Sequence, residues 1–328
     1  MEFLYFLEGI RTPLFNTFFL LITHLGEETV FLALALCIFW CVSKRQGYFM
    51  LMTGFFGMII NQAMKISFKI SRPWVQDPYL KVVDGAKLEA TGYSFPSGHT
   101  QMAVGSFGVV AIEAKRRWLR ITAIVIAVLV AFSRMYLGVH TPWDVLASVG
   151  IAVILLVVLE PLFSNEERYK KAMPYLLAAV VLLSVGYLIY SYFLYAADPE
   201  EINNIEGLKS GYMLLGCALG LIPVYILDSR VIKFKTEAKW YVQIIKLAVG
   251  LALTVALKEL LKLALLPLMG VFYERALRYF IIVVFAGCVW PISFRLLEKI
   301  KIPALDNLFG KGKGTQTKTG KKSTRSAR

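Results

Sequence analysis

Charge is scarce in this sequence, and cysteine and histidine are rarer still. Only 18% of the 328 residues are charged and 57% are hydrophobic, whereas a soluble domain has about 25% charged and about 45–50% apolar residues. With a mean hydropathy of +0.62, the composition excludes an ordinary soluble domain and indicates an integral membrane protein.

The few cysteines do not form a recognisable framework. All four lie within apolar runs and show no paired spacing in a polar loop: Cys37, Cys41, Cys217 and Cys288. We therefore expect buried free thiols, and neither disulfides nor a cysteine metal site. The first four residues include no basic segment and are not followed by a small-residue cleavage site, so a removable signal peptide is not expected.

Acidic residues are also few, because 22 Asp and Glu stand against 36 Lys and Arg. A nucleic-acid-binding protein would place such an excess in a continuous basic stripe on a soluble fold. Here short basic clusters alternate with apolar runs, as happens when Lys and Arg are kept on one side of a bilayer. We therefore expect a membrane environment and no nucleic-acid partner.

Long apolar runs predict an all-α fold, a polytopic membrane helix bundle with about nine spans. A span needs about 20 mostly apolar residues, and nine segments approach that length: 27–43, 47–68, 98–114, 118–133, 143–163, 173–196, 209–227, 241–263 and 276–295. Residues 2–24 are apolar but interrupted by charge and proline, so we predict a helical hairpin that lies in the membrane interface.

The loops between these segments alternate in charge. With the N-terminus outside, every inside loop is rich in Lys and Arg, namely the loops near residues 44–45, 115–120, 168–171 and 228–239, and the tail. The positive-inside rule then predicts a cytoplasmic C-terminus. The basic tail, residues 299–328, cannot bury a core and is predicted to be disordered on the cytoplasmic side.

Three segments on the predicted outer side carry polar residues that a spanning helix does not need. In the first, Lys65 and Arg72 are seven residues apart, which is close to two helical turns, so they share a face. Two cations at one membrane depth are costly without an anion to meet them. Taken alone, the segment is better explained by interfacial snorkelling, in which the long side chains lie along apolar surface and their charges reach water.

The second segment reads Pro96-Ser97-Gly98-His99. Pro96 and Ser97 favour the start of a helix, and Gly98 allows a ligand to approach the backbone closely. Free N–H groups at a helix N-terminus suit a phosphate group, and His99 would stand beside it. The segment therefore predicts an anion-binding turn.

The third segment contains Arg134, at the end of the fourth predicted span, and His140, just ahead of another helix start. Thr141 fits the N-cap of that helix and Asp144 fits its third position. A carboxylate one turn away can fix the tautomer of His140. A capping box alone explains Asp144, but it explains neither the histidine nor the arginine.

The three segments together resemble the signature of the type-2 phosphatidic acid phosphatase superfamily, and the patterns occur in the same order: Lys65-x6-Arg72-Pro73, Pro96-Ser97-Gly98-His99 and Ser133-Arg134-x5-His140-x3-Asp144. The resemblance covers about residues 1–165, which we interpret as a six-helix-type membrane phosphatase core. Residues 166–298 would be accessory transmembrane helices that pack on the core, extend the lipid pocket or mediate a homodimer.

The resemblance implies a role for each motif residue. His140 would attack phosphorus and form a phosphohistidine, Asp144 would orient it, and His99 would act as acid and then base. The phosphate oxygens would be bound by Lys65, Arg72, Ser97, Gly98 and Arg134. No cofactor is implied, and these segments contain no group of residues with metal-ligand spacing, so we predict a metal-independent phosphatase.

The implied substrate is a lipid phosphate that reaches the site near the outer membrane surface, such as undecaprenyl diphosphate or phosphatidic acid. Three alternatives stay open at this point. They are a soluble phosphate ester such as a sugar phosphate, a lipid phosphotransferase, and a non-catalytic lipid-binding or transport protein on the same scaffold.

Overall fold

The computed structural model describes residues 1–88 and 90–300, in which helices are connected by loops and no β-strand occurs. This confirms the predicted all-α fold. The helices are α1 Glu2–Gly9, α2 Pro13–Thr23, a 3₁₀ turn His24–Gly26, α3 Glu28–Cys41, α4 Lys44–Phe68, α5 Pro73–Gln76, α6 Gly98–Glu113, α7 Arg117–Tyr136, α8 Pro142–Phe163, α9 Glu166–Ala197, α10 Ile202–Leu227, α11 Trp240–Val284, α12 Trp290–Ile292 and α13 Phe294–Leu297. The predicted basic tail lies outside the described residues, apart from its first two.

Short polar side chains fix where several of these helices begin. At each such start a side-chain oxygen accepts a hydrogen bond from a backbone N–H two or three residues on, which satisfies a donor that the first turn leaves open. The capping residues are Thr12, Ser43, Ser97, Thr141 and Asn165. Two of these capped starts carry predicted site residues: Ser97, Gly98 and His99 at the start of α6, and Asp144 at the start of α8.

All nine predicted spans are helical, but they divide differently. Among the described residues, six helical stretches are long and apolar enough to cross a membrane, or seven if the bent pair Pro13–Gly26 and Glu28–Cys41 forms one span. Helices α3 and α6 have only 14 and 16 residues, fewer than a straight span needs. The last two predicted spans fall within one stretch of 58 residues, Trp240–Leu297.

That last stretch is a hairpin that reverses at Gly270, where φ is 72° and ψ is 171°. The two arms run antiparallel, because the indole N–H of Trp290 donates to the carbonyl of Lys246 at 3.0 Å. Gly216 of α10 lets the hairpin pack closely, since a Cβ at this glycine would lie 2.1 Å from the carbonyl oxygen of Ala276. The reversal lies between the eighth and ninth predicted spans, 241–263 and 276–295, so the two spans form the two arms of the hairpin.

One core of buried apolar side chains joins the two halves of the chain. Phe49 of α4 stacks on Phe163 of α8 with ring centroids 5.2 Å apart, and both side chains are fully buried. Trp40 of α3 donates through its indole N–H to the carbonyl of Ala286 at 2.9 Å. The C-terminal helices therefore pack directly on the N-terminal half.

Ion pairs tie the basic end of the bundle together. Lys44 pairs with Asp228 at 2.7 Å, and Arg45 pairs with Glu113 at 2.8 Å. These pairs connect the start of α4 with the ends of α10 and α6. Removing one partner of a largely buried pair leaves the other charge uncompensated, which typically costs about 3–5 kcal/mol.

The N-terminal hairpin, helices α1 and α2, packs on α7. Arg11, between these two helices, donates to the carbonyl oxygens of Tyr136 and Lys81 at 3.0 and 2.6 Å. Helix α2 then meets α3 at an angle of 52° through the 3₁₀ turn. Through Arg11, the N-terminal hairpin stabilises the loop that follows α7. The placement of this hairpin in the membrane interface stays a prediction.

Candidate active site

The three motif segments meet at one end of the bundle, opposite the ion-paired basic end. They surround a cavity of about 240 Å³. Six of the eight predicted site residues line it: Lys65, Arg72, Gly98, His99, Arg134 and His140. The other two, Ser97 and Asp144, lie directly behind the lining and contact it through hydrogen bonds.

His140 stands on a tight turn between α7 and α8. Gly138 adopts a positive φ of 82°, which reverses the chain at low cost because glycine has no Cβ. The backbone N–H groups of Val139 and His140 then donate to the carbonyl of Arg134 at 3.1 and 3.2 Å. The turn places His140 at the cavity wall with 1% of its surface exposed.

Arg72 identifies which imidazole nitrogen of His140 is unprotonated. Its Nη1 lies 2.8 Å from Nε2 of His140, and a guanidinium group can only donate. Nε2 therefore accepts, and the proton is on Nδ1, which lies 3.4 Å from Oδ2 of Asp144. This tautomer leaves the Nε2 lone pair directed at the cationic side of the cavity.

Asp144 is held by three donors that converge on the same oxygen. Its Oδ2 accepts from the backbone N–H of Thr141 at 2.7 Å, from the hydroxyl of Ser94 at 2.6 Å and from Nδ1 of His140 at 3.4 Å. The first of these bonds completes the predicted capping box of α8. Ser94, fully buried, was not among the predicted site residues, because only the fold brings it to Asp144.

Backbone carbonyls hold the guanidinium of Arg72. Nε donates to Gly92 at 3.0 Å, Nη2 to Thr91 at 2.6 Å and Nη1 to Val139 at 3.1 Å. An arginine guanidinium is protonated at neutral pH, so Arg72 is a cation. Three neutral acceptors orient this charge without cancelling it.

The other two cations are anchored in the same manner. Nζ of Lys65 donates to the carbonyl of Tyr93 at 3.0 Å. Nη1 of Arg134 donates to the hydroxyl of Thr23 at 2.6 Å, and Arg134 is almost completely buried. Both of these acceptor oxygens are uncharged, so the two bonds orient the cations without neutralising them.

Burial, followed by the charges of Arg72, Arg134 and Lys65, holds the pKa of His140 well below its usual value. Desolvation disfavours the imidazolium, and nearby cations disfavour it further. His140 is therefore a neutral imidazole at pH 7, with an available lone pair.

The start of α6 supplies the rest of the wall. Ser97 caps this helix, since its hydroxyl accepts from the N–H and the hydroxyl of Thr100 at 3.4 and 3.0 Å. The backbone N–H of Ser97 donates to the carbonyl of Asp144 at 3.1 Å. This bond fixes the start of α6 against the start of α8, so Gly98 and His99 face the cavity across from His140.

Two carboxylates, Glu27 and Glu28 at the start of α3, line the cavity, and Asp144 lies behind its wall. Within residues 1–88 and 90–300, no group of three or more His, Cys, Asp or Glu side chains is arranged to hold a metal ion. The cavity lining combines three cations and two histidines with these two glutamates, and the cations suit a phosphate group.

This arrangement defines a helical membrane phosphatase, and comparison with known proteins agrees. Residues 46–168 match the PAP2 superfamily, and residues 212–301 match the transmembrane extension of PAP2 superfamily phosphatases. The chain belongs to the PAP2 superfamily, which confirms the resemblance seen in the motifs, and it is a phosphoric-ester hydrolase. All eight predicted site residues lie within the first match.

Several characterised phosphatases are similar to this chain. Phosphatidylglycerophosphatase B of Bacillus subtilis is 30% identical over 176 residues, 49% of this chain and 82% of that protein. Undecaprenyl-diphosphatase of Sulfolobus acidocaldarius is 29% identical over 135 residues, 40% of this chain and 63% of that protein. Human sphingosine-1-phosphate phosphatase 2 is 24% identical over 251 residues, 63% of this chain and 62% of that protein. No solved structure gives a significant match.

Proposed function

We propose that this protein hydrolyses a lipid phosphate or diphosphate without a metal ion, through a phosphohistidine at His140. The observation that carries the proposal is the pairing of His140 Nε2 with a fixed cation at 2.8 Å while Nδ1 faces a buried carboxylate. A neutral imidazole with one nitrogen directed at bound phosphate is an activated nucleophile.

In the first step, Nε2 of His140 attacks phosphorus and forms a P–N bond. Burial and the neighbouring cations lower the pKa of His99 to about 2, so His99 becomes protonated only when bound phosphate offsets the charge of those cations. The imidazolium of His99 then donates its proton to the leaving oxygen as the bond between phosphorus and the ester oxygen breaks. In the second step, His99 accepts a proton from water, whose oxygen attacks phosphorus. The P–N bond breaks, inorganic phosphate leaves, and both histidines return to their starting states. Asp144 stabilises the positive charge that His140 carries in between.

The three cations replace the charge that a divalent metal supplies in other phosphatases. Lys65, Arg72 and Arg134 bind the non-bridging oxygens, together with the free backbone N–H of Gly98 at the start of α6. When phosphate binds, Arg72 exchanges its contact with His140 for one with a phosphate oxygen, which frees the nucleophile. Ser97 holds the start of α6 in place. Its hydroxyl binds a phosphate oxygen only if its capping hydrogen bond with Thr100 breaks.

A lipid substrate is supported by where the cavity lies. The site is formed by the ends of α4, α6, α7 and α8, so it stands near the level of lipid headgroups if these helices span the bilayer. Relatives are named for phosphatidylglycerophosphate, undecaprenyl diphosphate and sphingosine 1-phosphate. We infer that the substrate belongs to this range of lipid phosphates.

The charge distribution supports a site on the non-cytoplasmic face. The loops at the opposite end of the bundle, 42–43, 114–116, 164–165 and 228–239, contain or adjoin the basic clusters of the sequence. By the positive-inside rule that end is cytoplasmic. The catalytic end, with its 198–201 loop rich in acidic residues, would then face outward.

Purified full-length protein in detergent micelles tests the proposal with lipid phosphates and a sugar phosphate side by side. We expect turnover of the lipids, and we expect His140→Ala to abolish it while the protein still folds and inserts. His24→Ala is the matched control, because His24 lies outside the three motifs, and it should retain activity. Rapid acid-free quenching with ³²P-labelled lipid should trap radioactivity on the wild-type chain only. Retained turnover in His140→Ala would remove His140 as the nucleophile, and turnover of the sugar phosphate alone would replace the lipid assignment.

A further inference from the structure

Three amide side chains line the catalytic cavity beside the cations, although no motif includes them. They are Asn61 and Gln62 of α4 and Gln101 of α6. None of the three makes a side-chain hydrogen bond to any residue within the described part of the chain. The phosphatase mechanism above uses none of them.

Two of these amides are deeply buried, since Asn61 and Gln101 are each 3% exposed. Nδ2 of Asn61 and Oε1 of Gln101 lack a partner among the described residues. A buried amide without hydrogen bonds is unfavourable. The buried amide of Asn204 also has one unpartnered atom, Oδ1, but its Nδ2 donates to the carbonyls of Leu194 and Asp198 at 3.2 and 3.1 Å.

The amides form a group adjoining the phosphate-binding residues. Asn61 precedes Lys65 by four residues on α4, so it lies one turn further along the same face. Gln101 follows His99 on α6, and a Cβ at Gly57 would lie 2.8 Å from its Nε2. The missing side chain at position 57 therefore makes room for the Gln101 amide between the two helices.

The charge of the lining shows what this group can bind. Its cations, Lys65, Arg72 and Arg134, converge on the phosphoryl group, and the remaining polar lining of the described residues includes the three amides with Glu27 and Glu28. A second phosphate beside the amides would meet the carboxylates of Glu27 and Glu28, while the three cations of the lining are already engaged by the first phosphate. A hydroxyl group both donates and accepts, which matches an amide.

We propose that Asn61, Gln62 and Gln101 form a neutral subsite that binds a hydroxyl group on the alcohol part of the phosphate ester. The inference rests on the proposed function, because the cations and His140 must hold the phosphoryl group for the alcohol to reach the amides. The favoured substrate is then a lipid phosphate monoester with a free hydroxyl close to the ester bond, and not a diphosphate.

Two substrates of similar chain length test the subsite: 1-palmitoylglycerol 3-phosphate, which has a free hydroxyl, and hexadecyl phosphate, which has none. The readout is the ratio of their kcat/KM values on the same protein preparation in the same micelles. We expect the wild-type ratio to favour the hydroxylated ester at least tenfold. Asn61→Leu and Gln101→Met should reduce that ratio by about tenfold to a hundredfold, since a site built to hydrogen-bond a hydroxyl discriminates strongly against its absence.

The ratio does not depend on how much of a variant folds, so a destabilised preparation still reports on the subsite. Asn204→Leu is the matched control: it removes a buried amide away from the cavity and should leave the ratio unchanged. An equal fall for both substrates in Asn61→Leu and Gln101→Met, or no fall for either, would overturn the proposal. His140-dependent hydrolysis of hexadecyl phosphate with a wild-type ratio near one would overturn the subsite alone, whereas no His140-dependent lipid turnover would overturn the proposed function.

Discussion

The hydroxyl of Ser94 donates to Oδ2 of Asp144 at 2.6 Å and also lies 3.4 Å from Nδ1 of His140. Ser94 thus contacts both members of the pair that sets the tautomer of the proposed nucleophile. Its backbone N–H donates to the carbonyl of Ile70 at 2.7 Å, which ties it to the segment that carries Arg72. One buried serine therefore connects the second motif segment to the other two.

Ser94→Ala should lower kcat with little change in KM. The substitution removes one donor from Asp144, and a hydrogen bond to a charged group contributes about 1.5–3 kcal/mol. Because Asp144 keeps its bond from the Thr141 N–H, we expect a loss of roughly tenfold to a hundredfold rather than complete inactivation. Steady-state kinetics on the lipid substrate measure it.

The matched control is Ser106→Ala. Ser106 is a buried serine of α6 whose hydroxyl donates to the carbonyl of Met102 at 2.7 Å, outside the site. It should leave kcat within about twofold of wild type. If Ser94→Ala raised KM and left kcat unchanged, Ser94 would act in substrate binding and the positioning role would be wrong.

The pH dependence of kcat/KM should show an acid limb below the ordinary histidine value of about 6.5. Burial and the neighbouring cations lower the pKa of His140, so the free enzyme keeps its neutral nucleophile as the pH falls through that value. Since kcat/KM reports on the free enzyme, activity should be lost only at more acidic pH.

Two substrates whose phosphate groups titrate at different pH values distinguish enzyme from substrate in that profile. A limb common to both belongs to the enzyme. A common limb centred at or above 6.5 would contradict a buried neutral His140, and would point to a solvated imidazole instead.

Chelation should leave the enzyme active. Lys65, Arg72 and Arg134 line the cavity and are proposed to supply the charge that metal-dependent phosphatases obtain from divalent ions. We expect full turnover after dialysis against EDTA and no stimulation on adding Mg²⁺. Loss of activity on chelation, restored by Mg²⁺, would show that these cations are not sufficient.

The helical bundle could be predicted from apolar run length because a bilayer forces backbone hydrogen bonds to close within each helix. The division into spans could be predicted only in part. The reversal at Gly270 falls between the eighth and ninth predicted spans, but α6 has only 16 residues because it starts at a turn that Ser97 caps. Hydropathy does not register a cap, so the count of nine stays approximate.

The positions that converge on the cavity could be predicted because their residue types are costly in a membrane without a ligand. The residues that hold these side chains in place through hydrogen bonds could not be predicted. Thr23, Ser94 and the carbonyls of residues 91–93 act on partners 19 to 111 residues away in the chain. Ser and Thr are common in loops and backbone carbonyls occur everywhere, so no local pattern marks them.

Gly138→Ala should both destabilise the protein and reduce activity, because this glycine forms the turn that presents His140. Its φ of 82° costs a residue with a Cβ of order 1–3 kcal/mol. A Cβ there would lie 2.9 Å from Nη2 of Arg11 and 3.2 Å from the carbonyl oxygen of Lys81, so the brace from the N-terminal hairpin must also shift. We expect a lower melting temperature in detergent and a reduced kcat.

Gly150→Ala is the control for this change, since Gly150 lies within α8 and a Cβ at that position meets nothing within 4 Å. In a helix, alanine is favoured over glycine by roughly 0.5–1 kcal/mol, so this variant should match or exceed the wild-type melting temperature with unchanged kcat. If Gly138→Ala were equally stable and active, the turn would tolerate a different backbone path. His140 would then owe its position to Asp144 and Arg72 alone, and the brace through Arg11 would have no part in catalysis.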